Sequence, residues 1–321
     1  MDFLSEQWND DMRVLITGAT GHFGPGICRT FLRDGFNVRI LLHRRRIKSL
    51  EREAEVVWGD VTQPDSVRRA LDGVNAVVHL AGIVEPMTES DPDLAYTVNI
   101  GGTRTIVDMI KESGMSIPFV FISSVAVFGP APDSTECLHP DRNPCNPISV
   151  YAKTKVQAED LIRESGIDYV ILRLAPTPYS KISRNDIKTQ MFIVPLRNRI
   201  EFCHPDDAAL AILNSVRYFN AVKGKTLMIA GGPGQQMYYE DLVRCSMGAF
   251  GLPLPPRHKF PDGTFPLHWY DTSESQALLQ YQRKTLDDYG DDLASQFPAP
   301  LMILMRRVIG PAFGRIIVRL L

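Results

Sequence analysis

The chain has 321 residues, 44% of them hydrophobic and 22% charged, and a formal net charge of −2. That is enough apolar material for a large buried core in one big domain or two modest ones, and a charge balance that offers nucleic acid no electrostatic footprint. Five scattered cysteines (Cys28, Cys137, Cys145, Cys203, Cys245), with no Cys-x-x-Cys pair, argue against a disulfide framework or a zinc site and for a reducing compartment, so a cytoplasmic protein is expected.

In chain order, residues 1–11 are acidic and lack the basic-then-apolar pattern of a secretion signal, and no apolar run approaches the length of about eighteen residues needed to span a bilayer. Val14–Thr17 reads as a buried strand that empties into Gly18-Ala19-Thr20-Gly21-His22-Phe23-Gly24, three glycines at three-residue spacing, before a helical pattern. Glycine lets such a turn take positive φ and lets amides approach a ligand, and the following helix points its positive end there, so a pyrophosphate is the natural guest. Further strands are expected at Val38–Leu42, Glu55–Trp58, Ala76–Leu80, Phe119–Ser123, Tyr169–Leu172 and Thr226–Ile229. Helices are expected near Gly26–Asp34, Asp65–Leu71, Asp93–Ser113, Val150–Ser165 and Asp206–Tyr218. The alternation predicts an α/β fold, a doubly wound parallel sheet with helices on both faces. After Gly231 the pattern loosens into helices and proline-rich links, which read as a smaller lobe.

The second strand runs into Leu42-His43-Arg44-Arg45-Arg46. A dinucleotide-binding sheet usually presents an acid here to the ribose hydroxyls; arginines, Arg44 and Arg45 foremost, suit a 2′-phosphate instead, favouring NADP over NAD. A solvated basic loop is the alternative. Gly59-Asp60-Val61 and His79-Leu80-Ala81-Gly82 lie at carboxyl ends of strands, where open α/β sheets bind ligands. Asp60 suits the adenine amino group, Ala81 and Gly82 a small-residue floor, and His79 a structural role. The proline-rich loop Pro130–Pro147 reads as a surface excursion near a site.

The fifth strand delivers Ser123-Ser124, and Tyr151-Ala152-Lys153-Thr154-Lys155 opens a helix. Four residues apart, Tyr151 and Lys155 share a helical face. A free phenol titrates near pH 10, and a neighbouring ammonium together with a positive nicotinamide is expected to bring it down into range for proton transfer. A serine hydroxyl can hold the substrate oxygen meanwhile.

These pieces, in this order, resemble the extended short-chain dehydrogenase/reductase family, also called the NAD-dependent epimerase/dehydratase family. The likeness runs through Thr17-Gly18-x-x-Gly21-x-x-Gly24, Asp60-Val61, His79-Leu80-Ala81-Gly82, Asn99-x-Gly101-Gly102-Thr103, Ser123-Ser124-x-x-Val127-Phe128-Gly129, Tyr151-x-x-x-Lys155 and Leu172-Arg173, and on to His204-Pro205-Asp206-Asp207-Ala208 and Ile229-Ala230-Gly231-Gly232. The resemblance implies a Rossmann-type sheet over residues 12–178, which also receives the 200–230 segment. It implies a C-terminal substrate-binding lobe over 179–199 and 231–298, leaving a tail at 299–321. It also implies that Tyr151 is the acid/base, that Lys155 lowers its pKa and touches the ribose, and that Ser124 polarises the substrate oxygen. Cofactor contacts are implied at Gly18, Thr20, Gly21, His22, Phe23, Gly24, His43, Arg44, Arg45, Asp60, Val61, Leu80, Ala81, Gly82, Asn99, Ser123, Tyr151, Lys155 and Pro176, and a homodimer is expected.

Three features depart from the family. The prolines after Arg173 come late, at Pro176 and Pro178, the stretch before Asp206 is short for a nucleotide-sugar insertion, and Arg44–Arg46 suit NADP better than a tightly held NAD. Arg197 and Arg199 are candidates for a diphosphate or, more simply, solvated loop residues. The expected activity is hydride transfer between NADP(H), or NAD(H), and a small-molecule secondary alcohol or ketone. The alternatives are a nucleotide-sugar epimerase or dehydratase and a non-catalytic, membrane-associated cofactor-binding subunit. Residues 301–321 carry four arginines and no acid among large apolar residues, with Arg315 and Arg319 on one helical face and a break or kink expected at Gly310-Pro311. Such a segment either packs on the body or a second copy, or lies on an anionic membrane.

Overall fold

The computed structural model describes residues 12–132, 134–178 and 191–320; the part of the expected lobe at 179–190, and residue 321 of the tail, lie outside the described residues. Seven parallel strands form the main sheet: β1 (Arg13–Thr17), β2 (Asn37–Leu42), β3 (Glu55–Trp58), β4 (Ala76–His79), β5 (Phe119–Ser124), β6 (Tyr169–Leu174) and, after a short strand β7 (Arg199–Glu201), β8 (Thr226–Ile229). Their order is β3-β2-β1-β4-β5-β6-β8. Every strand expected for this sheet is there.

Because side chains alternate across a strand, each strand feeds two cores. Val14 and Ile16 of β1 join Ile27, Phe31, Val38 and Ile40 on one face, while Leu15 joins Val77, Phe119, Phe121 and Ile171 on the other. Both faces are covered, which is why these strands read as continuous apolar runs. Helix α1 (Gly24–Arg33) covers the first face by burying Ile27, Cys28 and Phe31 at helical spacing. The chain order reverses beside β1, which pairs with β2 on one side and β4 on the other. That switch point opens a crevice at the strands' carboxyl ends.

The expected helix Asp93–Ser113 is a composite. After α2 (Pro64–Leu71) and the short α3 (Met87–Ser90), α4 (Pro92–Tyr96) passes through a π turn, Thr97–Gly102, into α5 (Thr103–Ser113). Helix α6 (Val150–Glu164) is continuous and N-capped by Ser149, whose Oγ accepts from the Ala152 amide at 3.2 Å.

A second, two-stranded antiparallel sheet of β7 and β9 (Gln236–Tyr238) has no counterpart in the sequence reading. It moves a boundary: Ile200 and Phe202 pack with Tyr239, Met247, Tyr289 and Leu293, so the start of the 200–230 segment belongs to the lobe core rather than to the main sheet. Buried Glu201 ties the lobe together, accepting from the amides of Gly232 and Tyr270, each at 2.8 Å.

The tail is helical throughout, as Ala299–Leu304, a π turn Met305–Ile309 and Gly310–Leu320. At Gly310-Pro311, where a break or kink is expected, the chain stays helical. Proline cannot continue an α ladder, but the wider turn just before it absorbs the mismatch and Pro311 sits in the first turn of the next helical stretch, where its missing N–H costs nothing.

Candidate active site

The glycine turn presses against the end of β4. Gly18 has φ +74°, and a Cβ on it would stand 2.5 Å from the Ala81 amide nitrogen; a Cβ on Gly24 would stand 2.4 Å from the Ala19 carbonyl oxygen. Only glycine fits either position. Phe23 supplies no side-chain cap to α1, and its first turn holds no acid. Amides and positive dipole end are therefore left for an anionic ligand, with the exposed or half-buried Thr20, Gly21, His22 and Phe23 along the edge. His22 Nε2 lies 3.4 Å from the Thr177 carbonyl oxygen, bridging towards the loop that carries Pro176.

Behind this floor a chain of hydrogen bonds fixes the strand ends. The Ala81 amide donates to Thr17 Oγ1 (3.2 Å), Thr17 donates to His79 Nδ1 (2.7 Å), His79 Nε2–H donates to Thr103 Oγ1 (3.1 Å), and Thr103 donates to the Asn99 carbonyl (2.6 Å). This order requires a neutral His79, and burial, aided by the Lys155 charge, pushes its pKa down to about 3. Its role is structural, as expected. Asn99 is spent too: its Oδ1 accepts from the Ile83 amide at 2.7 Å, and its Nδ2 donates to the Ile83 carbonyl at 3.0 Å and to Thr154 Oγ1 at 2.9 Å. It braces the Leu80–Gly82 floor from below, a positioning role for a residue expected at the cofactor. Val61 packs on Gly102, where a Cβ would meet its Cγ2 at 2.8 Å.

Beyond β2 the arginine run divides. Arg46 is held by Glu51, with Nε 3.1 and 3.2 Å from the two carboxylate oxygens, and lies over Trp58. Arg44 and Arg45 are exposed and, among the described residues, have no ion-pair or hydrogen-bond partner. Exposed His43 has Nε2 3.4 Å from Asp60 Oδ2, and Asp60 Oδ1 accepts from the Thr62 amide and hydroxyl, both at 2.9 Å.

The chemistry-bearing side chains meet where β5 ends and α6 begins. Ser124 is hydrogen-bonded to the Tyr151 phenol, and its Oγ also accepts from the Ala126 amide at 3.2 Å. One turn along α6, Lys155 Nζ donates to the Ile122 carbonyl at 2.8 Å and lies 5.8 Å from the Tyr151 ring centre. It is also 3.8 Å from where a Gly82 Cβ would be, so the ammonium borders the floor of the crevice.

The structure departs from expectation at two residues. The Ser123 hydroxyl, expected at the cofactor, is committed elsewhere: adjacent strand residues face opposite ways, and its Oγ donates to Glu159 Oε1 at 2.5 Å inside a buried ionic cluster. The protein's own groups do not lower the Tyr151 phenol, which leaves any lowering to the positive nicotinamide. Burial raises it to about 12, with the Glu85 charge adding to the rise and the Ser124 hydrogen bond opposing it. The Lys155 ammonium, itself lowered to about 8 by burial against the pull of Glu159, is turned to a backbone carbonyl. Tyr151 is thus a protonated donor at neutral pH. Proton donation leaves a phenolate that only a charged lysine can support, so reductive turnover should decline as pH rises above about 8. A pH–rate profile of kcat that stays flat to pH 10 would remove Lys155 from this role.

Sequence reasoning missed Glu85, whose charge reaches Tyr151 from the loop after β4, because nothing local marks it. It also undervalued Arg199, which is not a solvated loop residue. The guanidinium stacks 4.6 Å from the Trp269 ring centre and donates to the Thr135 carbonyl at 2.6 Å. With exposed Arg197 and Tyr238 and buried His268 it lines a cavity of about 630 Å³ that reaches Ala131, on the loop leaving β5.

A parallel sheet with a glycine turn at its switch point and a Ser–Tyr–Lys trio at the fifth strand defines an extended short-chain dehydrogenase/reductase. The chain belongs to the NAD dependent epimerase/dehydratase family, whose profile matches residues 14–230. Among curated relatives it is similar to a 3 beta-hydroxysteroid dehydrogenase/Delta 5-->4-isomerase of Mycobacterium tuberculosis, 30% identical over 291 residues, 87% of this chain and 70% of that protein. It is also similar to sterol demethylase protein B of Methylococcus capsulatus, 32% identical over 169 residues, 51% of each chain. The chain spans about half the length of several curated relatives it matches. Among solved structures, a UDP-glucuronic acid 4-epimerase of Bacillus cereus, in complex with UDP-glucuronic acid and NAD, superposes with a TM-score of 0.75 at 22% identity, covering 88% of this chain and 98% of that one. That likeness establishes the fold.

Proposed function

We propose that the protein is an NADP(H)-dependent oxidoreductase that interconverts a secondary alcohol and a ketone. The observation that carries this reading is the convergence of Ser124, Tyr151 and Lys155 on one wall of a crevice whose glycine floor fits a dinucleotide. When bound there, a nicotinamide supplies hydride chemistry at the substrate carbon. In the reductive direction the substrate oxygen receives a proton from Tyr151 Oη, Ser124 Oγ holds that oxygen, and Lys155 stabilises the phenolate left behind. A phenol, a hydroxyl and an ammonium gathered at a dinucleotide crevice have no use in a non-catalytic scaffold.

Arg44 and Arg45, open beside the crevice, support NADP(H) over NAD(H). Replacing both with alanine should weaken NADPH about ten- to hundredfold, the worth of one or two charge-assisted hydrogen bonds, while NADH changes little. Titration of cofactor fluorescence checks this, and equal losses for both nucleotides would remove the 2′-phosphate reading.

Apolar side chains stand exposed on the segments that flank the site in sequence. Val84 and Met87, on the loop after β4, and Ile148, shortly before Tyr151, are all more than half exposed. Glu89 joins the two loops by accepting from the Val150 amide at 2.8 Å. Together with the steroid and sterol names of the two relatives, this favours hydrophobic cyclic alcohols and ketones as the first substrates to assay.

A second reading, a nucleotide-sugar epimerase, is favoured by one observation, the pairing of Arg197 and Arg199 on the 630 Å³ cavity. Denaturing the purified protein and identifying the nucleotide released separates the two. Near-stoichiometric NAD would select the epimerase, in which hydride leaves and returns within one cycle. A protein that releases none and then binds NADPH more tightly than NADH supports the exchanging oxidoreductase.

A further inference from the structure

The tail is docked and yet half unused. Met302 and Val318 are buried, Arg306 Nε donates to the Ala249 carbonyl at 3.0 Å, and Lys259 Nζ donates to the Arg319 carbonyl at 2.8 Å. A Cβ on Gly310 would stand 2.0 Å from the Gly251 carbonyl oxygen and one on Gly314 2.7 Å from Pro253 Cδ. The two glycines let the helix lie directly on the lobe backbone. Residues 302 and 310 would stand about 80° out of phase on an uninterrupted α-helix; the π turn between them takes up the extra residue and keeps one narrow stripe on the body.

Everything outside that stripe faces outward. Leu301, Ile303, Leu304, Val308, Phe313 and Ile316 are each 41–56% exposed. Scattered exposed apolar residues are ordinary, but six in sixteen consecutive residues form a patch. On the helix Gly310–Leu320, with about 100° per residue, three arcs separate: Gly310, Gly314 and Val318 towards the body, Phe313 and Ile316 outward, and Arg315 and Arg319 along the remaining edge. No acidic residue occurs from position 293 to the last residue, against four arginines. No helix among the described residues is long and apolar enough to cross a membrane.

We infer that the outward face of residues 301–319 is a membrane-docking surface that lies in the plane of an anionic bilayer. Phe313, Ile316, Leu301 and Leu304 enter the acyl boundary, and Arg315 and Arg319 extend their stems along the interface to reach lipid phosphates. Charge selects this occupant over a second copy of the chain. Two such tails laid face to face would bring eight arginines together without one acid between them, whereas an anionic surface neutralises each. The inference is independent of the reaction assigned to Tyr151.

Flotation of the full-length protein with vesicles tests it. Vesicles containing phosphatidylglycerol should carry the protein upward at low ionic strength and release it in 0.5 M salt, where the Debye length has shrunk to about 4 Å. Pure phosphatidylcholine should carry little. Arg315→Gln with Arg319→Gln should weaken binding about twenty-five-fold, at about fivefold per arginine, and Phe313→Ser with Ile316→Ser about tenfold or more. All four residues are outside the docked stripe, and unchanged thermal melting will show that the variants fold. Failure to float with anionic vesicles overturns the proposal, as does binding that ignores lipid charge or both double variants. So does light scattering in which the apolar variant turns a dimer into monomers without any vesicle binding, since the face would then join two copies.

Discussion

Tyr151→Phe should lower turnover by about two to four orders of magnitude, the usual worth of a positioned general acid, while changing cofactor affinity little. The phenol ring packs at the start of α6 and Phe preserves that packing; what disappears is the Oη proton and its hydrogen bond to Ser124. Steady-state assays with a ketone and NADPH, paired with fluorescence titration of the cofactor, separate the two effects. Ser124→Ala should fall in the same direction by a smaller factor, because it removes one hydrogen bond to the substrate oxygen and leaves the proton in place. Unchanged turnover in Tyr151→Phe would take the chemistry away from this trio altogether.

Arg173→Met should destabilise the fold by about 3–5 kcal/mol, the cost of leaving a buried charge without its partner. Glu159 is fully buried, and Arg173 reaches it through two bonds, Nε to Oε1 at 3.0 Å and a second nitrogen to Oε2 at 2.7 Å. Ser123 and Arg163 complete the carboxylate's set. Arg173 also reaches the Pro140 carbonyl and the Cys145 sulfur, so the cluster pins residues 140–145 to the sheet. At about 2–4 °C per kcal/mol, melting should drop by roughly ten degrees. Glu159→Leu added to Arg173→Met should recover much of the loss, because no buried carboxylate remains.

The sign of the pH dependence follows. Burial alone would raise the Glu159 carboxyl, but Arg173, Ser123 and Arg163 hold it below the ordinary range. Its folded pKa is depressed, so its stabilisation is complete above the unfolded value of about 4.3 and fades as pH falls through the folded one. The difference in melting between the parent and Arg173→Met should therefore shrink in acid. A difference constant down to pH 3 would mean that packing, and not the ion pair, sets the cost.

Local pattern and spacing determined the fold's outline. The central sheet strands are largely apolar runs bounded by turn residues, recognisable because both their faces are covered; β3 at the edge, Glu55–Trp58, is only half-buried. The glycine turn and the Tyr151–Lys155 spacing were legible for the same reason, since geometry within a few residues follows from backbone periodicity. The tertiary structure decided whatever depends on what lies across the sheet or the cleft. Ser123 and Ser124 are equivalent in sequence, and only the side of β5 on which Glu159 is buried tells them apart. Arg44, Arg45 and Arg46 form one run, and Glu51 alone closes one of them. The upward shift of Tyr151 is a property of its enclosure, which no tetrapeptide contains. The β7–β9 pair is three residues a side, too short for a periodic signal, and exists because Glu201 is buried between partners up to 69 positions away. Periodicity records the neighbours along the chain; charge placement and burial are set by neighbours in space.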